Sequence, residues 1–357
     1  MRKGVFILFT IILFGPGVYA IEVFKNIKDS ISGEYTGDFF TNVSGGIKTG
    51  SGYLGKADLN FQLDFSEKST LFFKGAMTHG ATPSESYIGD SQTASNIEAG
   101  NHSYVQELWF RQKINKFEWT VGLQDLNKYF MAGDNAGDFL NSSFGIPPVT
   151  SEHFVFPIFP LTGLSISGKW NITDVYSWNT AIYDGYQTPF EHNPHNLKWN
   201  VNADEGFLFI SELQVMKENR SYKAGGYYHI GAKDAEPEFK RNFGAYFIGD
   251  FSVNETWNLF SQVVLSSKSS KTFDPYLGLG ATFSYDEKSS FGAAVAHAGT
   301  YEKSYKQETT IECFYKRTLS DNIEIQPDIQ YIINPSGNTD GGLKNALVGF
   351  VRLKINI

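Results

Sequence analysis

Apolar and polar side chains alternate along most of the chain, and most regularly near its end. From Leu347 to Ile357 the odd-numbered positions are apolar or glycine, and Arg352, Lys354 and Asn356 lie between them. Residues 56–65 and 323–333 show the same period of two. This period is typical of β-strands that have one apolar and one polar face. The pattern predicts an all-β protein.

The connectors between the candidate strands are sorted by length. We predict about 16 strands, the first near 36–46, the fifth near 117–127 and the last near 344–357. Short connectors lie near 66–68, 115–116, 173–175, 217–221, 254–256, 286–289 and 320–322, and longer ones near 81–102, 128–162, 186–205, 232–241 and 334–343. Transmembrane barrels have tight turns on one rim and longer loops on the other, whereas a soluble β-sandwich has no reason to sort them. The sequence therefore predicts a transmembrane antiparallel β-barrel.

The start of the chain has the features of a secretory signal. Arg2 and Lys3 precede an apolar run at 5–14, and Val18-Tyr19-Ala20 offers small residues for cleavage. The run is shorter than the roughly 20 residues that a membrane-spanning helix needs. We predict a signal peptide at 1–20, a short periplasmic lead segment at 21–35 and one barrel domain at 36–357. An even number of strands would place both termini on the periplasmic side.

Composition excludes several other classes of protein. The formal net charge is −8, so no basic patch is available to neutralise the phosphates of a nucleic acid. Cys313 is the single cysteine, which leaves no disulfide framework and no thiolate metal site. Aromatic residues make up 16% of the chain, as suits the interfacial girdles of a barrel in the outer-membrane lipid.

The connector at 128–162 is too long for a simple loop, since structureless stretches above about 15 residues are usually functional or disordered. It contains seven residues that are Tyr or Phe, and four prolines stiffen it. A loop this apolar needs a surface to pack against, and the barrel interior offers one. We predict that it folds inward and narrows the pore.

The inward parity of the strands also indicates which side chains face the lumen. These are Lys56, Asp58, Lys74, Glu107, Trp109, Arg111, Glu212, Glu312, Arg352 and Lys354. Both signs of charge supply hydrogen-bond donors and acceptors, which suits a neutral polyhydroxylated solute. Trp109 could stack on the apolar face of a sugar ring. The alternative for each residue is that it solvates the inner wall or braces the inserted loop.

Several segments, in order along the chain, resemble the carbohydrate-selective outer-membrane porins of the OprB type. They are YTGDFFTNVSGGIKTGSGYLGKADL from Tyr35, YIGDSQTASNIEA from Tyr87, QELWF around Glu107, NSSFGIPP from Asn141, NPHNL from Asn193, KAGGYYH from Lys223 and IQPDIQYIINP from Ile325.

The resemblance implies a sixteen-stranded barrel whose loop-constricted lumen passes mono- and small oligosaccharides by facilitated diffusion. It implies neither an enzyme nor a cofactor. By position it assigns Glu107 and Trp109 to the lumen, and Asp138, Asn141 and Phe144 to the inserted loop. Two departures are the final Ile357, where an aromatic residue is usual, and Ser165 and Ser167, where basic residues are expected.

Two other motifs are weaker signals. His192 and His195 lie in a Pro-containing loop without a third ligand nearby in sequence, and the DNAGD run at 134–138 lacks the later ligands of a calcium loop. The main rival function is a general diffusion porin without sugar selectivity; a barrel enzyme, a surface adhesin and a secreted lectin-like protein are weaker rivals. The sequence leaves open whether the barrel is a monomer or a homotrimer.

Overall fold

A closed antiparallel barrel is the architecture of this computed structural model, in which each strand pairs with its neighbours in sequence. The structure describes residues 30–151, 156–231, 241–267, 273–300, 304–337 and 342–357. Within them the strands are β1 (Ile31–Gly46), β2 (Gly50–Ser66), β3 (Ser69–Gly80), β4 (His102–Ile114), β5 (Phe117–Gln124), β6 (Gly163–Asn171), β7 (Tyr176–Asp184), β8 (Phe207–Lys217), β9 (Arg220–Ile230), β10 (Arg241–Ser252), β11 (Trp257–Ser266), β12 (Tyr276–Asp286), β13 (Ser289–Ala298), β14 (Glu308–Ser320), β15 (Ile323–Ile333) and β16 (Lys344–Asn356). The predicted strand number and barrel are confirmed.

Strands β1 and β16 close the barrel. Gly37 lies opposite Leu353 in their register. β1 begins at Ile31, opposite Phe61 of β2, so residues 31–35 belong to the barrel and not to the predicted lead segment. The rest of that segment and the predicted signal peptide lie outside the described residues.

Short turns gather at one rim of the barrel. β1 begins and β16 ends at this rim, which we call the turn rim; its connectors include 67–68, 115–116 and 321–322. The opposite end, the loop rim, carries the connectors 81–101, 125–162 and 185–206. Short helical turns lie in these and later loops at Ser84–Ile88, Leu126–Lys128, Ser142–Phe144, Pro148–Ser151, Ala203–Glu205 and Pro335–Gly337.

Apolar side chains face outward and charged ones inward, the reverse of a soluble protein. Leu59, Ile166 and Ile329 are each at least half exposed on the outer wall. Glu107 and Glu312 are fully buried in the interior. This arrangement suits a barrel whose outer wall contacts lipid, because pairing around the whole circle satisfies every strand there. Among the described residues no helix has the length and apolarity to cross a bilayer.

A β-bulge in β4 changes which side chains face the lumen. The register with β3 passes from Lys74–Glu107 directly to Gly75–Val105 and leaves Gln106 unpaired. Gln106 and Glu107 are therefore consecutive inward residues, and both are buried. On the other side of the bulge, the N–H of Val105 donates to the carbonyl of His195 at 3.1 Å. The loop 185–206 thus satisfies a backbone group that the bulge removes from the ladder.

Candidate transport site

The described parts of the connector 125–162, residues 125–151 and 156–162, fold into the barrel, as the sequence predicts, and pack aromatic side chains against the inner wall. The ring of Phe139 lies 5.4 Å from that of Phe260 and 4.9 Å from that of Phe314. Phe144 packs against Phe139 and Phe260 at 5.0 and 5.6 Å. This contact fills the lumen on the β11 and β14 side and leaves the opposite side open.

Buried acids of the wall hold the backbone of this inserted loop. The N–H groups donate to carboxylates as follows, with N–O distances: Met131 to Glu212, 3.0 Å; Asn135 to Asp250, 3.0 Å; Leu140 and Asn141 to Glu312, 2.6 and 3.0 Å. Each of these carboxyl oxygens satisfies a backbone N–H that would otherwise be buried without a partner. A run of such bonds fixes the path of the loop through the lumen.

Side-chain donors of the wall complete the attachment by binding loop carbonyls. The bonds are Gln262 to Phe144 at 2.7 Å, Gln326 to Asp138 at 2.9 Å, and Lys223 to Ala132 at 2.6 Å. The wall therefore offers acceptors where the loop presents N–H groups and donors where it presents carbonyls. This complementarity satisfies backbone groups that would otherwise be buried without partners.

A second loop, 81–101, pairs with the inserted loop. The N–H of Asn96 donates to the carbonyl of Leu140 at 2.8 Å, and the N–H of Ser142 donates to that of Thr93 at 2.9 Å. The hydroxyl of Ser143 donates to the side-chain oxygen of Gln92 at 3.0 Å. The constriction is thus built from two loops, of which the sequence predicts one.

The described residues enclose an inner and an outer cavity in the lumen. The inner cavity, about 320 Å³, lies towards the turn rim and is lined by Glu34, Thr36, Lys56, Lys74, Asn96, Ile97, Gln106, Asp125, Lys128, Gly137, Asp138, Phe159, Glu324, Gln326, Arg352 and Lys354. The outer cavity, about 440 Å³, lies between the loops and includes Gln92, Asn127, Phe139, Ile146 and Pro148. Both are lined by Asn96, Asp125, Gly137 and Phe159, which we call the neck.

Charged side chains of the inner cavity are held in ion pairs. Asp58 binds Lys56 at 2.6 Å and Lys74 at 2.8 Å through one oxygen. Arg352 binds both oxygens of Asp38, at 2.7 and 2.8 Å. Such pairs fix the positions of the ammonium and guanidinium groups along the cavity wall.

Further pairs lie around the same cavity. Lys354 binds Glu34 at 2.8 Å, and Lys316 forms an ion pair with Asp138 of the inserted loop. Lys128, also from the inserted loop, pairs with Glu107. The cavity wall therefore combines groups from both ends of the chain with groups from the loop.

Five predicted lumen residues line the inner cavity: Lys56, Lys74, Asp138, Arg352 and Lys354. Asp58 lies between two of them. The remaining predictions point inward but line neither described cavity. Glu212, Glu312, Asn141 and Phe144 are buried where the inserted loop meets the wall.

Glu107, Trp109 and Arg111 form one packed group beneath the start of the inserted loop. The indole N–H of Trp109 donates to Glu107 at 3.1 Å, and its ring stacks on Phe72 at 4.9 Å. The guanidinium of Arg111 lies 4.4 Å from the Trp109 ring. Trp109 is only 6% exposed, so a sugar ring would not reach its face in this structure.

The residues predicted from the sequence do not include the neck or all of the inner cavity. Gln106 is not among the predicted lumen residues because the position of a β-bulge cannot be derived from alternation. The prediction places Asp125 within the strand 117–127, and Lys128 and Phe159 within the connector 128–162, which we interpreted only through its Phe and Pro content. The signal that could have found them is the opposite charge of Asp125 and Lys128 directly after an inward-facing strand end.

Asp125 is the acidic group of the neck. Its carboxylate accepts the N–H of Asn127 at 3.0 Å and the side-chain amide of Gln106 at 3.3 Å. Burial, helped by the nearby charge of Glu107, raises the pKa of Asp125 to about 6. The neck therefore carries a negative charge at neutral pH and loses it in mild acid.

The weaker motifs have other contacts in the structure. His195 Nδ1 lies 2.7 Å from the carbonyl of Ser103, on the outside of β4. Asp134 and Asn135 present backbone N–H groups to Asp250. In the described part of the chain no group of three or more His, Cys, Asp or Glu side chains could hold a metal ion. Ser165 and Ser167 both bind the side chain of Gln124.

The apolar outer wall, the inserted loop and the two polar cavities define a transmembrane porin with a narrowed lumen. The family model of the carbohydrate-selective porins, the OprB family, matches residues 53–357, and the chain belongs to this family. It is therefore a carbohydrate channel of the bacterial outer membrane, as the sequence predicts. Members of the family are channel proteins rather than enzymes.

Solved structures share the fold. OprB of Pseudomonas putida, in its high pH structure, is 16% identical, with 94% of this chain and 96% of that chain covered and a TM-score of 0.79. A mutant of the Rh. blastica porin is 10% identical, covering 92% and 99%, with a TM-score of 0.59. At such identities the likeness shows the barrel alone. No curated protein sequence matches the chain.

Proposed function

We propose that sugars diffuse passively from the outer cavity through the neck to the inner cavity, and that the neck selects them. The observation that carries this proposal is that the same four residues, Asn96, Asp125, Gly137 and Phe159, line both cavities. A solute moving between the cavities meets these groups. The cavity volumes are those of small-molecule sites, which suits mono- and small oligosaccharides.

The chemistry of the neck suits a sugar. The Phe159 ring offers an apolar face for the C–H side of a pyranose, and Asn96 and Asp125 offer hydrogen-bond groups for its hydroxyls. Lys56 lies over Phe159, with Nζ 4.9 Å from the ring centroid. Gly137 has no side chain and so leaves width for the solute.

The inner cavity favours neutral solutes, in our proposal, because most of its charges are already paired. Lys56, Lys74 and Arg352 keep free N–H donors for hydroxyl groups while Asp58 and Asp38 balance their charge. A solute with a full charge gains little from such a wall. Glu107, Trp109 and Arg111 act in this proposal as positioning residues that hold Lys128 at the cavity.

We also propose an orientation in which the turn rim, with both ends of the barrel, faces the periplasm. The short turns at that rim support this orientation, since barrels of this class keep their long loops outside. The outward Leu, Ile and Phe side chains would contact outer-membrane lipid. A monomeric or homotrimeric state stays a prediction.

Titration of single channels in a planar bilayer tests the selection step. Adding glucose to one side should reduce the potassium chloride current in a saturable way, because the sugar occupies the neck. Glycine betaine at equal concentration and osmolarity is the control. It should lower the current without saturation as its concentration rises. An equal, linear decrease with both solutes would instead indicate a general diffusion porin.

A further inference from the structure

Asp90 is a buried acid in the loop 81–101 that the transport path does not use. The residue is 9% exposed, and both carboxylate oxygens are closed off from solvent, with only neutral groups of its own loop beside them. No described Lys, Arg or His forms an ion pair with it. Isolated ionised carboxylates are costly to bury, so an unpartnered one is expected to take up a proton.

Two other acids act on Asp90. Glu98, in the same loop, accepts the N–H groups of Ser84 at 3.0 Å and Glu85 at 3.3 Å, which holds the turn Ser84–Ile88. Glu308, the first residue of β14, binds the N–H of Ser91, the neighbour of Asp90, and so brings a second acid beside it. Among the described residues these are the titratable groups that face Asp90, one from its own loop and one from the barrel.

Glu308 fastens the loop directly beside Asp90. Its carboxylate accepts the N–H groups of Ser91 at 3.0 Å and Gln92 at 2.8 Å. It also accepts the N–H of Ser336, from the last long loop, at 2.6 Å. One side chain thus joins two loops to the barrel wall.

The fastened segment forms part of the outer cavity. Ser91, Gln92, Thr93 and Glu98 all line it. Gln92 and Thr93 also bind the inserted loop, as described above. Movement of this segment would therefore change the width of the cavity through which solutes enter.

We propose that Asp90, Glu98 and Glu308 form a proton-sensitive clamp, which holds loop 81–101 over the outer cavity when Asp90 is protonated and loosens it when Asp90 ionises. Ionised Asp90 places a negative charge beside Glu98 and Glu308, and the charges accumulate as these two acids ionise in turn at higher pH. Like charges at close range repel, most strongly where water is excluded. The proposal goes beyond sugar selection and does not depend on it.

The sign of the pH dependence of the clamp follows from the raised pKa values of its acids. Burial raises the pKa of Asp90 to about 6, and burial together with the charge of Asp90 raises that of Glu98 to about 7. An acid with a raised pKa stabilises the closed state at low pH and loses this effect as the pH rises through its pKa. The clamp is therefore tight at pH 5 and loosened at pH 8.

Hydrogen exchange of the full-length protein in detergent, corrected for the intrinsic effect of pH, tests the clamp. The amides of Ser91, Gln92 and Ser336 should open at least about 10-fold more at pH 8 than at pH 5, the factor that raising the pKa of Asp90 from 3.8 to about 6 gives over this interval. Single-channel conductance should rise over the same interval. Asp90→Asn, which keeps the shape without the charge, should reduce this pH response by about the same factor. Glu85→Gln, an exposed acid of the same loop, should behave as the wild type.

Two results would overturn the proposal. One is exchange at these amides that does not change between pH 5 and pH 8, or changes equally in Asp90→Asn. The other is a response that EDTA removes, which would assign the site to a divalent cation. Asp125 also titrates near pH 6, so the conductance series is repeated in Asp125→Asn, where the clamp predicts the same rise.

Discussion

Acidic side chains on the inner wall have two different roles. Glu212 and Glu312 accept backbone N–H groups of the inserted loop, whereas Asp58 balances Lys56 and Lys74 at the inner cavity. Alternation along the strands predicts that all of them face inward. It cannot predict which role each has, because that depends on the path of a loop with no periodic pattern.

Asp125 should set the ion preference of the neck. Its pKa of about 6 means that the carboxylate is ionised at pH 8 and neutral at pH 5. We expect the ratio of cation to anion permeability, from the reversal potential in a potassium chloride gradient, to fall as the pH drops through 6. Asp125→Asn should have the lower ratio of cation to anion permeability at both pH 8 and pH 5.

Asp204→Asn removes an exposed acid in an outer loop and is the control for this measurement. It should keep the wild-type pH dependence. A step near pH 6 that persists unchanged in Asp125→Asn would refute the assignment of this charge to the neck.

Phe159→Leu should weaken sugar binding at the neck. Aromatic stacking contributes about 0.5–1.5 kcal/mol, so the apparent sugar affinity should fall by about 2- to 13-fold. Block of the ion current by glucose measures this, with conductance in the absence of sugar as a check on the pore. Phe243→Leu, a matched change on the outward wall, should have no effect. Equal affinity in the two variants would show that Phe159 does not contact the sugar.

The sequence predicts that a loop enters the barrel. It does not predict the path that this loop takes through the lumen. Its Phe and Pro content indicates inward packing, and the Phe139 and Phe144 contacts agree with this. Its partner loop 81–101 has no comparable apolar content, so nothing in its sequence indicated a role in the constriction. The bulge at Gln106 is likewise invisible to alternation, since it adds one residue without changing the residue types.

Glu312→Gln should loosen the inserted loop. The substituted side chain replaces one acceptor oxygen with an NH₂ group, so one of the N–H groups of Leu140 and Asn141 loses its partner. Leaving a buried donor unsatisfied costs about 1–3 kcal/mol, which corresponds to about 5- to 150-fold faster exchange of those amides. Hydrogen exchange monitored by mass spectrometry measures the effect.

Glu324→Gln is the control for that change, because Glu324 lines the inner cavity but makes no described bond to the loop. Its exchange at residues 140 and 141 should match the wild type. Exchange in Glu312→Gln that also matches the wild type would mean that the carboxylate does not hold the loop.

The barrel as a whole follows closely from the sequence, because each strand must alternate and each turn must be short on one rim. β1 is the exception at its start. Residues 31–35 alternate over only five positions, with Gly33 at the centre, and Gly33 exchanges two backbone hydrogen bonds with Ile357 at 3.0 and 2.8 Å. Closure of the barrel, a contact between distant parts of the chain, therefore decides where β1 begins.

Liposome swelling tests the central account most directly. Proteoliposomes containing the protein are placed in isotonic glucose, in a disaccharide, or in a zwitterionic amino acid of a size matched to glucose. A sugar-selective neck predicts that glucose enters clearly faster than the matched amino acid and that the disaccharide enters more slowly than glucose. Equal rates for glucose and the matched amino acid would contradict the account.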